Sequence, residues 1–138
     1  MPHSGSMCLL QRLRAWSATS IECSAISHRD PANPLRTQGQ LLATNAIEYA
    51  AQAMALHGAL SVELEAQPAA GPAPGFLASV RAVTLHVPRL DDVVGELRIV
   101  ATRLAGDSGQ AMYSFSLHDD RGLLLVDGRA TVVLNALP

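Results

Sequence analysis

Asn45, Glu48 and Gln52 stand three and four residues apart in a stretch otherwise rich in Ala, Leu and Met. At about 100° per residue, that spacing sets them in one narrow polar stripe on an apolar helix. A carboxyl group held in apolar surroundings is pushed toward its neutral form, and a neutral carboxyl can give a proton to a departing group. Such an acid works with a base, and imidazole suits that role near neutral pH. The chain has five histidines, His3, His28, His57, His86 and His118. His57, His86 and His118 read as core or surface residues, and Tyr49 and Trp16 as packing residues. Gln52, one turn beyond Glu48, could hold the carboxylate or a substrate. The same spacing has a purely structural reading: Asn45-x-x-Glu48 fits a capping box, in which Asn45 accepts from first-turn amides and Glu48 reaches back.

The surrounding residues decide what positions the stripe. Residues 44–60 contain no proline, and their apolar side chains recur on nearly every side. The pattern predicts a helix buried nearly all round, giving out near residues 63–65. Before it, residues 20–26 alternate as a strand does, and residues 9–16 form a less regular apolar run in which 7–10 could make one helical turn. Pro31, Pro34 and Gly39 argue against regular structure over residues 28–39, and a loop of this length is more often functional than idle. Beyond the helix, a Pro/Gly/Ala connector over residues 67–75 precedes four strand-like stretches, 76–87, 96–104, 111–118 and 123–134. Asp119-Asp120-Arg121-Gly122 is the clearest hairpin turn between them. The predicted architecture is α+β, an antiparallel sheet wrapped around one long central helix. Its open sheet edges make pairing of two subunits the expected remedy.

The 138 residues, 49% of them apolar, suffice for a single domain over residues 1–138. A net charge of -2 with no basic cluster or aromatic platform argues against nucleic acid as a partner. Cys8 and Cys23 suggest neither a disulfide framework nor a metal site. A reduced, cytoplasmic setting is therefore expected, with no metal and no redox cofactor. No apolar run is long enough to cross a bilayer, so no membrane partner is expected either.

Three motifs carry a family resemblance. Pro2-His3-Ser4-Gly5-Ser6-Met7-Cys8-Leu9-Leu10 resembles a Pro-His-x-x-Pro-(Phe/Met)-Leu-Leu opening turn. Ala46-Ile47-Glu48-Tyr49-Ala50-Ala51-Gln52-Ala53 resembles a Gly-Ile-Glu-x-(Met/Leu)-Ala-Gln-Ala helix start, and Gly75-Phe76-Leu77-Ala78-Ser79-Val80-Arg81 the strand after the connector. These belong to the hotdog-fold dehydratases of fatty-acid and polyketide synthesis, which act on 3-hydroxyacyl groups held on acyl carrier protein. More closely, the chain resembles a divergent branch linked to aryl polyene and xanthomonadin-type pigments. Better-known members carry a catalytic histidine in a His-Phe-Pro motif fourteen positions before the helix glutamate, and here that place is Pro34. The resemblance leaves three readings. His3 serves Glu48, from the same or the paired subunit; His28 takes the vacated place; or dehydration is lost, and the chain is a hotdog thioesterase or a non-catalytic half of a hotdog heterodimer.

On the first reading, imidazole removes the C2 proton of the thioester while the Glu48 carboxyl protonates the departing C3 hydroxyl. Asn45, Ala46, Ile47 and Gln52 are the expected substrate contacts, with helix-start amides polarising the thioester carbonyl. The resemblance implies acyl carrier protein or a coenzyme A thioester as partner. Because carrier proteins are acidic, Arg36, Arg81 and Arg89 are docking candidates. A homodimer, a higher oligomer of dimers, or a heterodimer with another hotdog subunit is the expected assembly.

Overall fold

The computed structural model describes residues 8–64, 75–107 and 109–134 of the chain. Their order is β1 (Arg12–Trp16), β2 (Ser20–Ala25), α1 (Ala46–Leu64), β3 (Gly75–Leu85), β4 (Leu97–Gly106), β5 (Gln110–His118) and β6 (Leu124–Leu134). All strand pairs are antiparallel and form one sheet in the order β1-β2-β4-β5-β6-β3. This is the predicted α+β arrangement of one helix against one sheet. Strict alternation builds its inner face: Ile21, Cys23 and Ala25 on β2, Leu97, Ile99 and Ala101 on β4, and Tyr113, Phe115 and Leu117 on β5 are all buried. They share one core with Ala46, Tyr49, Ala50, Ala53 and Met54 of the helix.

Three expectations need correction. Residues 8–11 make no helical turn. The helix is not sealed all round, because the sheet covers one side only. Ile47, Glu48, Ala51, Ala55, Gly58 and Ala59, which fall on the other side, are half-buried. Trp16 does not pack inside but stands 37% exposed on the edge strand β1. The proline-rich loop also holds more order than its prolines suggested. It contains a 3-10 turn, Ser27–Arg29, and a two-residue reversal in which Thr37 and Gln40 exchange backbone hydrogen bonds of 2.8 and 3.0 Å. Gln38 and Gly39 both have positive φ, 52° and 80°, as a type I′ turn requires.

Strand β3 departs from simple alternation. Leu77 lies opposite Val132 and Val80 opposite Ala130, with the register slipping between Leu77 and Ser79 and again between Arg81 and Thr84. The two bulges put Leu77, Val80 and Val83 against the core at a spacing of three. At the second bulge Ala82 adopts φ +54°, a left-handed conformation that costs a residue with a Cβ about 1 kcal/mol. Ala82→Gly should therefore stabilise the protein by about 0.5–1 kcal/mol, read as a higher urea midpoint. A lower midpoint would mean that the alanine methyl contributes more than its strain costs.

Gly128, facing Val83 across the strand pair, has the opposite requirement. A Cβ there would sit 2.9 Å from Phe115 Cζ and 3.0 Å from Val83 Cγ2. Gly128→Ala should cost about 1–3 kcal/mol through overpacking, with an unchanged denaturant slope.

Candidate active site

The helix begins through a 3-10 turn, Ala43–Asn45, closed by the Asn45 amide on the Leu42 carbonyl at 3.0 Å. The Ala46 amide donates to the carbonyls of Ala43 and Thr44. Neither the Asn45 side chain nor the Glu48 carboxylate has a hydrogen-bond or ion-pair partner among the described residues. The capping box is thus not formed, and Glu48 stands in the first turn of α1, half-buried and untied.

Gln52, at the same edge of the helix, is buried, and its Oε1 accepts the Leu9 amide at 2.9 Å. The Leu9 carbonyl accepts from Ser27 Oγ at 2.8 Å. With its own proton spent there, Ser27 Oγ accepts from the Tyr49 hydroxyl at 2.8 Å. Asn33 Nδ2 donates to Tyr49 Oη at 3.2 Å and to the Ser27 carbonyl at 2.9 Å. Tyr49 therefore does more than pack: it joins the helix, the proline-rich loop and the segment around Leu9. Burial raises its phenol above the ordinary range, so it keeps the proton that this arrangement uses. A shallow groove of about 510 Å³ runs beside the segment, lined by Cys8, Leu10, Gln11, Ile26, Ser27 and Arg29 among others; Glu48 is not among its lining residues.

The histidines separate clearly. His3 lies outside the described residues. His28 is fully buried and donates from Nε2 to the Val93 carbonyl at 3.1 Å. Its Nδ1 has no partner among the described residues. Burial lowers its pKa, the carbonyls of Val93 and Gly95 oppose, and Arg29 and Arg36 lower it further. His57 is a core residue. Nε2 donates to the Ser17 carbonyl at 2.9 Å, which fixes the tautomer, and Nδ1 accepts the Tyr113 hydroxyl at 2.7 Å. His86 pairs with Asp127 at 2.9 Å, and His118 with Ser116 at 2.9 Å.

Two of the three arginines named for docking are engaged within the fold. Arg36 donates to the Gly39 carbonyl at 2.7 Å and to the His28 carbonyl at 3.1 Å, closing the loop on itself. Arg89 forks onto Asp91, whose Oδ1 also takes the Leu41 amide at 2.9 Å. This guanidinium holds the Asp91 carboxyl well below the usual carboxylate range, and the pair clamps the chain leading into α1. Arg81 is exposed, lies opposite Arg129 across β3 and β6, and has no partner among the described residues. No cluster of metal-binding side chains occurs among the described residues, and no described helix is long and apolar enough to cross a membrane.

Comparison with known proteins follows the same lines. A family model described as ApeP-like, ApeP dehydratase, matches residues 1–136. Among solved structures, the chain is similar to the dehydratase heterocomplex ApeI:P from Xenorhabdus doucetiae, at 27% identity and a TM-score of 0.84, covering 98% of this chain and 88% of that one. AziG from S. sahachiroi shares 15% identity at a TM-score of 0.67, covering 93% and 92%. A thioesterase from Haemophilus influenzae shares 14% at 0.64, covering 91% and 79%. These likenesses bear out the hotdog fold. No curated protein sequence matches the chain significantly.

Proposed function

The chain belongs to the ApeP-like dehydratase family, and we propose that it eliminates water from 3-hydroxyacyl thioesters on acyl carrier protein to give 2-enoyl thioesters for polyene pigment synthesis. The observation that carries this reading is Glu48: a carboxylate in the first helical turn, half-buried and bound to nothing among the described residues. Structural carboxylates are ordinarily committed to a partner, whereas a proton donor must be free to meet its substrate. Asn45 and Ile47 are the substrate contacts proposed beside it, with the Asn45 carboxamide as donor to the thioester carbonyl, whereas Ala46, named with them from the sequence, is wholly buried and its amide already donates to the Ala43 and Thr44 carbonyls. Gln52 supports them from the next turn.

His3 is the proposed base, and chain reach supports it. Leu9 is fastened to Gln52, about 6 Å along the helix from Glu48, and the six residues from His3 to Leu9 can span about 20 Å. His28 is the weaker alternative, because recruiting it would break its bond to Val93 and expose a buried ring. Arg81, with its exposed and unengaged guanidinium, is the favoured contact for an acidic carrier protein in the cytoplasm.

A second reading is favoured by one finding. The similar ApeI:P structure is a heterocomplex, and Glu48 lies on the helix side that the sheet leaves half-covered. We therefore expect a second hotdog subunit to complete the site and exclude water. The test is to offer 3-hydroxyacyl groups, on carrier protein and on coenzyme A, to the protein alone and to the protein mixed with such a subunit. Appearance of the 2-enoyl product by mass spectrometry supports dehydration. Release of free thiol instead would make the protein a thioesterase, and activity confined to the mixture would make it one half of an obligate pair.

A further inference from the structure

Residues 41–43 and 88–91 run side by side just ahead of α1. The Leu90 amide donates to the Leu41 carbonyl at 2.7 Å and the Ala43 amide to the Pro88 carbonyl at 3.1 Å, and Leu41, Ala43 and Leu90 are all buried. One side chain closes this contact. Asp91, its side chain only 6% exposed, accepts the Leu41 amide on Oδ1 at 2.9 Å, and the same oxygen takes Arg89 Nε at 3.0 Å. Its other oxygen accepts from Arg89 Nη2. The fork fixes the carboxylate, and its bond to the Leu41 amide is charge-assisted and correspondingly strong.

The helix start lacks any hold of its own. The first amides of a helix have no partners further along it, and uncapped ends fray. No side chain caps the 3-10 turn through which the chain enters, and neither Asn45 nor Glu48 has a side-chain partner among the described residues. Fraying there would carry Glu48 with it.

We infer that Asp91, aimed by Arg89, is a positioning residue: by gripping the Leu41 amide it stands in for the missing cap and fixes the first turn of α1 with the Glu48 carboxylate on it. The inference rests on the reading of Glu48 as proton donor. Misplacing a reacting group by about 1 Å can cost about 100-fold in rate.

Asp91→Ala should therefore lower kcat about 10- to 100-fold. Asp91→Asn, which keeps the oxygen that accepts both Leu41 and Arg89 Nε, should restore most of it. Should Asp91→Ala fold poorly, Arg89→Ala, at a side chain 34% exposed, frees the carboxylate to turn and should fall between the two. Because Asp91 acts through Glu48, adding Asp91→Ala to Glu48→Gln should lower kcat by no more than about a further twofold; a role in overall stability alone would cost the same in both backgrounds. A second readout is independent of activity: in Asp91→Ala, hydrogen exchange at the amides of residues 46–50 should quicken about tenfold while that of residues 54–57 stays unchanged. Faster exchange at the helix start together with the kcat loss supports the inference. Wild-type kcat, wild-type exchange, or equal losses in the two backgrounds overturns it. Full activity in Glu48→Gln would instead remove the proton-donor assignment itself, a failure visible without any Asp91 variant.

Discussion

Glu48→Gln should slow dehydration by about 10²- to 10⁴-fold, the usual contribution of a positioned proton donor, and lower stability by no more than about 1 kcal/mol. The two halves of that expectation have one origin. The carboxylate makes no hydrogen bond or ion pair among the described residues, so its near-isosteric amide removes only the small favourable interaction of a first-turn carboxylate with the helix dipole. Had Asn45 and Glu48 formed a capping box, the substitution would also have weakened the helix start. His3→Ala should cause a comparable loss, and the double variant should be little worse than either single one, because acid and base act as a unit. Single-turnover rates on carrier-bound substrate, with melting curves alongside, check this. A Glu48→Gln enzyme at full rate would show that another group protonates the departing hydroxyl.

Replacing His57 by Ala should cost about 3 kcal/mol of folding stability. The ring is 0% exposed, packs edge-on to Tyr113 at 5.5 Å between centroids, and uses both nitrogens in hydrogen bonds. Its removal leaves a cavity and strands the Tyr113 hydroxyl. The same residue makes stability depend on pH. Burial lowers the pKa of His57 below its ordinary 6.5, with the Ser17 carbonyl opposing and Arg103 assisting, and His28 is lowered chiefly by burial as well. Above 6.5 both rings are neutral folded or unfolded and contribute no difference. As the pH falls below 6.5 the unfolded chain binds protons first, so stability is lost from there down through the folded-state values. Urea denaturation on either side of that point should show it. His57→Gln, which keeps a donor and an acceptor but does not titrate, should flatten the curve.

Much of the fold was legible because its signals are local. Alternation marked β2, β4, β5 and β6, a proline-free apolar run marked α1, and Asp119-Asp120-Arg121-Gly122 marked the last hairpin. β3 was legible as a strand, but not which of its residues face inward, because Leu77, Val80 and Val83 recur every three positions, a spacing created by two bulges and one left-handed alanine that alternation cannot anticipate. The stripe of Asn45, Glu48 and Gln52 was also legible, but not how its members divide. Among the described residues Glu48 has no partner, the chain entering through a 3-10 turn without a capping box, and Gln52 is committed to Leu9, 43 residues away. Nor could spacing show that Tyr49 reaches Ser27 and Asn33, or that His28 is enclosed beneath residues 93–95, since both depend on how the loop folds back.

The two rims of the sheet differ in kind. β1 is five residues long, kinked by a bulge between Leu13 and Ala15, and carries Arg12 and Arg14; β3 is an eleven-residue strand with one side unpaired. Charge and a bulge are the usual deterrents to further strand addition and both rims carry them, Arg81 and two bulges on β3, so length is what separates the two. The longer rim offers a partner strand about twice the run of backbone that the shorter one does. Two such chains, or one and a relative, joined across their long rims would present the five-residue β1 margins outward, where little backbone is left for a third to pair with.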